Sequence, residues 1–181
     1  GRSERSFKAY QTLIERFPKV DNYEEVLKRQ FDIATLYLNG KWFYLWGFLP
    51  AGPDRDKTVD MYEKLIRSGP YSGVAPQAQM NIGTAREKQK EWPLAMSEYQ
   101  RLQVLGEKVR GRADVKARAH DAIERLAPKL GQLIVTKKTR KGCQEETVWM
   151  PPGTHFIKVE SKFEKIEVKA QKVLRVGKCA D

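Results

Sequence analysis

The chain has 181 residues, 40% of them hydrophobic, enough for one or two domains with a real core. Its formal net charge of +11 is uneven: residues 1–105 carry 16 basic and 13 acidic side chains, residues 106–181 carry 18 and 10. No apolar run reaches the ~18 residues that a membrane-spanning helix needs. The basic groups are spread among Glu and Val instead of clustering with stacking aromatics, which speaks against single-strand nucleic-acid binding.

The spacing predicts a first helix over residues 3–17. Ser6, Tyr10 and Leu13 fall on one helical face there, and Pro18 closes it. Asp21 and Asn22 offer N-caps to a second helix from Tyr23 to Leu38, with Glu24 and Glu25 in its first turn and Asn39-Gly40 as a left-handed stop. Next comes Lys41 to Pro53, in which Trp42, Phe43, Tyr44, Trp46 and Phe48 crowd into seven residues. Two readings fit this segment. It packs back as a plug, or it stands exposed as an apolar patch that meets a partner or the lipid interface.

Asp54 or Asp56 caps a third helix that ends near Ser68, and Thr58–Tyr62–Leu65–Pro70 repeats the first pattern. Helices over 74–89 and 92–105 follow, the latter with Pro93 in its first turn, where proline is tolerated, and with Ala95–Tyr99–Leu102 as a third copy. A further helix at 112–127 ends at Pro128. Beyond Leu130 the period changes to two. Leu133–Val135, Glu146–Met150, Phe156–Val159, Phe163–Val168 and Val173–Val176 read as strands of a small antiparallel sheet or sandwich.

A pattern that recurs with its own stop signal marks stacked helical hairpins, none able to bury its apolar face alone. Ile33, Ala34, Tyr37, Thr58, Tyr62, Leu65 and Pro70, then Ile82, Gly83, Ala95, Tyr99 and Leu102, resemble the tetratricopeptide repeat family. The likeness covers about residues 5–105. It departs at Arg86, where Tyr is usual, and between Gly40 and Asp54, where an insertion replaces a tight turn. Tyr10 to Pro18, Tyr23-Glu24-Glu25, Ile33 to Lys41 and Ala75-Pro76-Gln77-Ala78 resemble the BamD-type lipoproteins of bacterial outer membranes. Pro152 to Val159 weakly resembles PEGA-type β-modules.

The expected architecture is therefore α+β. Tetratricopeptide-type hairpins form a solenoid over 1–105, a capping or linker helix spans 106–130, and a small basic antiparallel β domain spans 131–181. The resemblance implies a non-catalytic scaffold on the periplasmic face of the outer membrane. It would hold other envelope proteins or extended peptides in a concave groove, through a lipid-anchored precursor. Gly1-Arg2-Ser3 falls inside a repeat, which suggests that an upstream stretch precedes it. Helical phase nominates Arg29, Asp32, Asn81 and Arg86 as partner contacts, together with Trp42, Phe43, Trp46 and Phe48 of the aromatic segment.

A cytosolic repeat adaptor, or a binder of nucleic acid or another anionic polymer through the basic C-terminal part, are the alternatives. No nucleophile motif or phosphate loop occurs, and no cofactor is expected. Neighbouring carboxylates such as Glu24 and Glu25 point apart. His120 and His155 read as surface and strand-edge residues. Cys143 and Cys179, 36 apart, have no zinc-site spacing; a disulfide fits an oxidising compartment, and free thiols a reducing one.

Overall fold

The computed structural model describes residues 1–106, 113–139, 142–159, 162–170 and 172–176. Their class is α+β, with helices first and small sheets last. The helices are α1 (Arg2–Arg16), α2 (Tyr23–Leu38), α3 (Arg55–Ser68), α4 (Ala75–Lys88), α5 (Trp92–Gly106) and α6 (Ala113–Leu126). Each packs on the next in sequence. The second-neighbour pairs α1–α3, α2–α4 and α4–α6 also touch, so alternate helices form two layers.

Local chemistry sets the helix ends. Asp54 is the cap of α3, its Oδ1 accepting from the Lys57 amide at 3.0 Å. Asn22 precedes α2 but makes no side-chain cap bond. Both α2 and α4 close with the same motif. The Lys41 amide donates to the Leu36 carbonyl and that of Gly40 to Tyr37; likewise Glu91 donates to Arg86 and Lys90 to Glu87. The motif needs a left-handed residue, supplied by Gly40 (φ 100°) in α2 and by Lys90 (φ 63°) in α4. A lysine there is strained, so Lys90→Gly is expected to stabilise the fold by up to about 1 kcal/mol, read as a raised thermal midpoint.

Two apolar clusters run through the helices. One joins Phe7, Ile14, Leu27, Ala34, Tyr37, Tyr62, Leu65 and Ile82. The other joins Met96, Tyr99, Leu102, Val115, Ala119, Leu126 and Leu130, with Trp149 of the β-rich part against it. In α1 the buried residues are Phe7 and Ile14, while Tyr10 and Leu13 are half-buried and Ser6 is exposed. Among the helices α1 packs chiefly on α2 and α3, and its inward face is turned by one residue from the phase of the later copies.

The aromatic insertion forms two short strands, β1 (Phe43–Leu45) and β2 (Leu49–Gly52), paired antiparallel. Trp46 and Gly47, at φ 51° and 83°, are the two central residues of the turn, which with Phe48 links the paired Leu45 and Leu49; the Phe48 amide donates to the Leu45 carbonyl at 3.2 Å. Positive φ at both central residues matches the twist of a hairpin.

After a short 3-10 turn (Ala127–Lys129) come β3 (Gly131–Thr139), β4 (Gly142–Met150), β5 (Gly153–Val159), β6 (Lys162–Val168) and β7 (Val173–Val176). One sheet has the order β4-β3-β7; β5 and β6 form a separate antiparallel pair. The expectation of a purely antiparallel sheet is corrected here, since β7 pairs parallel with β3, Leu133 opposite Leu174. The β5–β6 hairpin lies between β4 and β7 in the chain. It carries the backbone back so that β7 enters beside the free edge of β3 in the same direction. Gly131 makes the crossing of the two sheets close. A Cβ on it would lie 2.3 Å from Val168 Cγ1 and 2.6 Å from the Lys169 carbonyl oxygen, and the latter is backbone that cannot rotate away.

Candidate interaction surface

Successive hairpins bury equivalent residues in equivalent ways. Thr58, Tyr62 and Leu65 of α3 and Ala95, Tyr99 and Leu102 of α5 are all at most 1% exposed. The facing slot holds Ala34 in α2 and Gly83 in α4. Next to it Thr35 and Thr84 each donate a hydroxyl to the carbonyl four residues back, Phe31 and Met80. The two tyrosine hydroxyls then part ways.

The Tyr62 hydroxyl accepts from Asn81 Nδ2 at 2.9 Å and lies 2.9 Å from Thr35 Oγ1. Asn81 Oδ1 in turn accepts from Gln77, and Gln77 Oε1 from Arg118. Because Thr35 donates to Phe31, Tyr62 must donate to Thr35. The chain thus runs one way, from Arg118 on α6 through α4 and α3 to α2.

Tyr99 instead donates to Glu87 at 2.6 Å, and Arg125 of α6 grips both oxygens of Glu87 at 2.6 and 2.8 Å. Burial alone would raise the Glu87 carboxyl, but the hydrogen bonds from Arg125 and Tyr99 more than reverse it, leaving it below its ordinary 4.5. Burial, and then the bond to Glu87, push the Tyr99 phenol well above its ordinary 10.

A lowered carboxyl contributes stability above pH 4.5 that is lost as pH falls through its folded value. The raised phenol contributes stability below pH 10 that is lost as pH rises toward its folded value. Glu87→Gln is therefore expected to lower the unfolding midpoint at neutral pH and to lack part of the decline that the parent shows below pH 4.5. Thermal unfolding at stepped pH measures this, and parallel profiles for the two proteins would contradict it.

α2, α4 and α6 share a layer, whose exposed residues are the candidate surface; α2 and α6 supply nearly all of them, since Lys88 is the one exposed residue of α4. On α2 the exposed stripe is Glu25, Arg29, Asp32 and Leu36, spaced one helical turn apart. Arg29 is ion-paired with Glu25 and Asp32 is exposed, so both nominated α2 positions lie on this stripe. Leu36, about half exposed in the same line, was missed because an aliphatic residue inside a helix reads as core.

Asn81 is buried, 8% exposed, with both amide atoms engaged as described above. Arg86 reaches back to Asp56 at 3.0 Å and forward to Glu91 at 2.9 Å, tying α3, α4 and the α4–α5 turn together. The structure thus brings Arg29 and Asp32 together on one exposed stripe of α2, buries Asn81, and leaves Arg86 half-buried and engaged with Asp56 and Glu91. In the hairpin, Phe43 is buried and stacked on Tyr37 at 4.1 Å, whereas Trp42, Trp46 and Phe48 are exposed. One aromatic of the segment thus packs back against α2, and these three stand exposed.

Depressions also occur among the described residues. One, of about 580 Å³, lies between α1, α3 and the hairpin, floored by Phe7, Phe43 and Met61 and rimmed by mixed charges. Another, of about 480 Å³, separates Glu124 and Pro128 from Trp149 and Val173; the Trp149 indole N–H is buried with no partner among the described residues. His120 is exposed beside Glu124, and His155 Nε2 lies 2.8 Å from the Pro151 carbonyl. Among the described residues no cluster of His, Cys, Asp or Glu could hold a metal, and no helix is long and apolar enough to cross a membrane. The pairing of Cys143 with Cys179 lies outside the described residues, Cys143 there being described by its backbone alone. No family model, curated protein or solved structure matches the chain.

Proposed function

We propose that this chain is a non-catalytic scaffold of the bacterial cell envelope, built of tandem tetratricopeptide-type hairpins and acting like the lipoprotein subunit of the outer-membrane β-barrel assembly machinery. It holds other envelope proteins, or an extended peptide, along the outward face of α2, α4 and α6. The observation that carries the reading is the equivalence of Ala34, Thr35, Tyr62 and Leu65 to Gly83, Thr84, Tyr99 and Leu102, position by position, in successive hairpins. The groups with shifted acidity favour binding over chemistry. Glu87, Tyr99 and Arg125 satisfy one another across helices and present no free base or nucleophile.

The test of place is fractionation of the full-length native protein. It is expected to sediment with outer membranes and to resist added protease until those membranes are permeabilised. Recovery in the soluble cytoplasmic fraction would favour the cytosolic adaptor instead.

A further inference from the structure

The β1–β2 hairpin ends in bulky apolar side chains that stand in water: Trp46 is 82% exposed, Phe48 75% and Trp42 52%, with Leu45 and Leu49 beside them. Its root is fixed by Phe43, buried against Tyr37 and capped by Lys57, whose ammonium lies 5.3 Å from the ring. Its end is a formed turn at Trp46-Gly47, so the apolar groups sit on a preorganised finger. From Trp42 to Pro53 no residue carries a charge.

Around the foot the balance is different. The Tyr44 amide donates to Glu4 at 3.3 Å and Lys41 Nζ to Ser3 Oγ at 2.6 Å, which sets the first turn of α1, with exposed Arg2 and Arg5, beside the hairpin. Of the acidic residues at the foot, Glu4 accepts from the Tyr44 amide, while Asp54 is matched by Lys57 at 3.3 Å and Asp56 by Arg86 at 3.0 Å. Among the described residues, none of Arg2, Arg5 and Lys41 has such a match.

An uncharged aromatic tip above a cationic collar has the form of a group that enters a lipid headgroup layer. Tryptophan favours the boundary between water and hydrocarbon, and lysine and arginine are drawn to anionic lipid. A second copy docked through the same finger would set collar against collar, like charge facing like charge. We infer that the β1–β2 hairpin is an interfacial anchor for an anionic lipid surface, with Trp46 and Phe48 inserted and Arg2, Arg5 and Lys41 on the phosphates. This does not rest on the scaffold reading, because it concerns a different face.

Flotation with vesicles tests it. The chain is expected to float with phosphatidylglycerol–phosphatidylcholine vesicles, to remain behind with pure phosphatidylcholine, and to show a blue-shifted tryptophan emission only in the first case. Trp46→Ser with Phe48→Ser touches no buried residue and should leave the circular dichroism unchanged while weakening binding at least about tenfold. Arg2→Ala, Arg5→Ala and Lys41→Ala together should cause a comparable loss, which added salt reproduces. The inference is overturned if the parent ignores anionic vesicles, if the tip variant floats as well as the parent, or if the tip variant abolishes self-association in a parent that binds no vesicle.

Discussion

Gly83→Ala is expected to cost about 1–3 kcal/mol of stability, a large loss for one methyl group. The added Cβ would lie 2.3 Å from Cε1 of Tyr99 and 2.7 Å from Cδ1 and Cζ. Those atoms belong to a ring that is 1% exposed and held at its far end by Glu87, so it has no room to retreat. Alanine's better helix propensity, about 1 kcal/mol, offsets the loss only in part. A double-mutant cycle isolates the cause. In a Tyr99→Leu background, itself destabilised, the Gly83→Ala penalty should shrink by at least about 0.5 kcal/mol. Denaturant unfolding of the four proteins measures it, and equal penalties in both backgrounds would rule out the steric explanation.

The second large effect concerns the polar chain through Tyr62. Tyr62→Phe removes a fully buried hydroxyl and leaves the Asn81 amide without its acceptor, which is expected to cost about 1–3 kcal/mol. Asn81→Leu alone should cost a similar amount, since it removes the donor to the Tyr62 hydroxyl and the acceptor of Gln77. Together they should cost clearly less than the two summed, because both single substitutions break the same Asn81–Tyr62 bond and the double variant loses it only once. Strict additivity would show that the 2.9 Å contact contributes nothing.

These two sites show what the sequence discloses and what it withholds. Period and stop signals located α3, α4 and α5 closely, because apolar phase and proline placement act locally. The small-residue slot at Gly83 was legible for the same reason: only close helix approach asks for glycine inside a helix. Phase places Asn81 and Arg86 toward the outward face of their helix, yet it does not say whether a long polar side chain turns to water or to a neighbour. That is decided by Tyr62, Asp56 and Glu91, distant in sequence.

The hairpin at 43–52 was hidden by its own composition, since a run of aromatics masks the period-two pattern and Trp46-Gly47 is a rare form of a turn signal. The parallel pairing of β7 with β3 depends on how the β5–β6 hairpin returns the chain, which strand propensity does not encode.

Whether the α2–α4–α6 face holds a partner is most directly measured by photocrosslinking in cells that make the full-length protein. A photoreactive residue is placed singly at Arg29, Asp32 or Leu36 on α2, and at Asp60 or Lys64 on α3, which border the depression in the other helix layer. One discrete adduct is expected, shared by the three α2 positions and absent from both α3 positions. Adducts from α3 alone, or from none of the five positions, would contradict it.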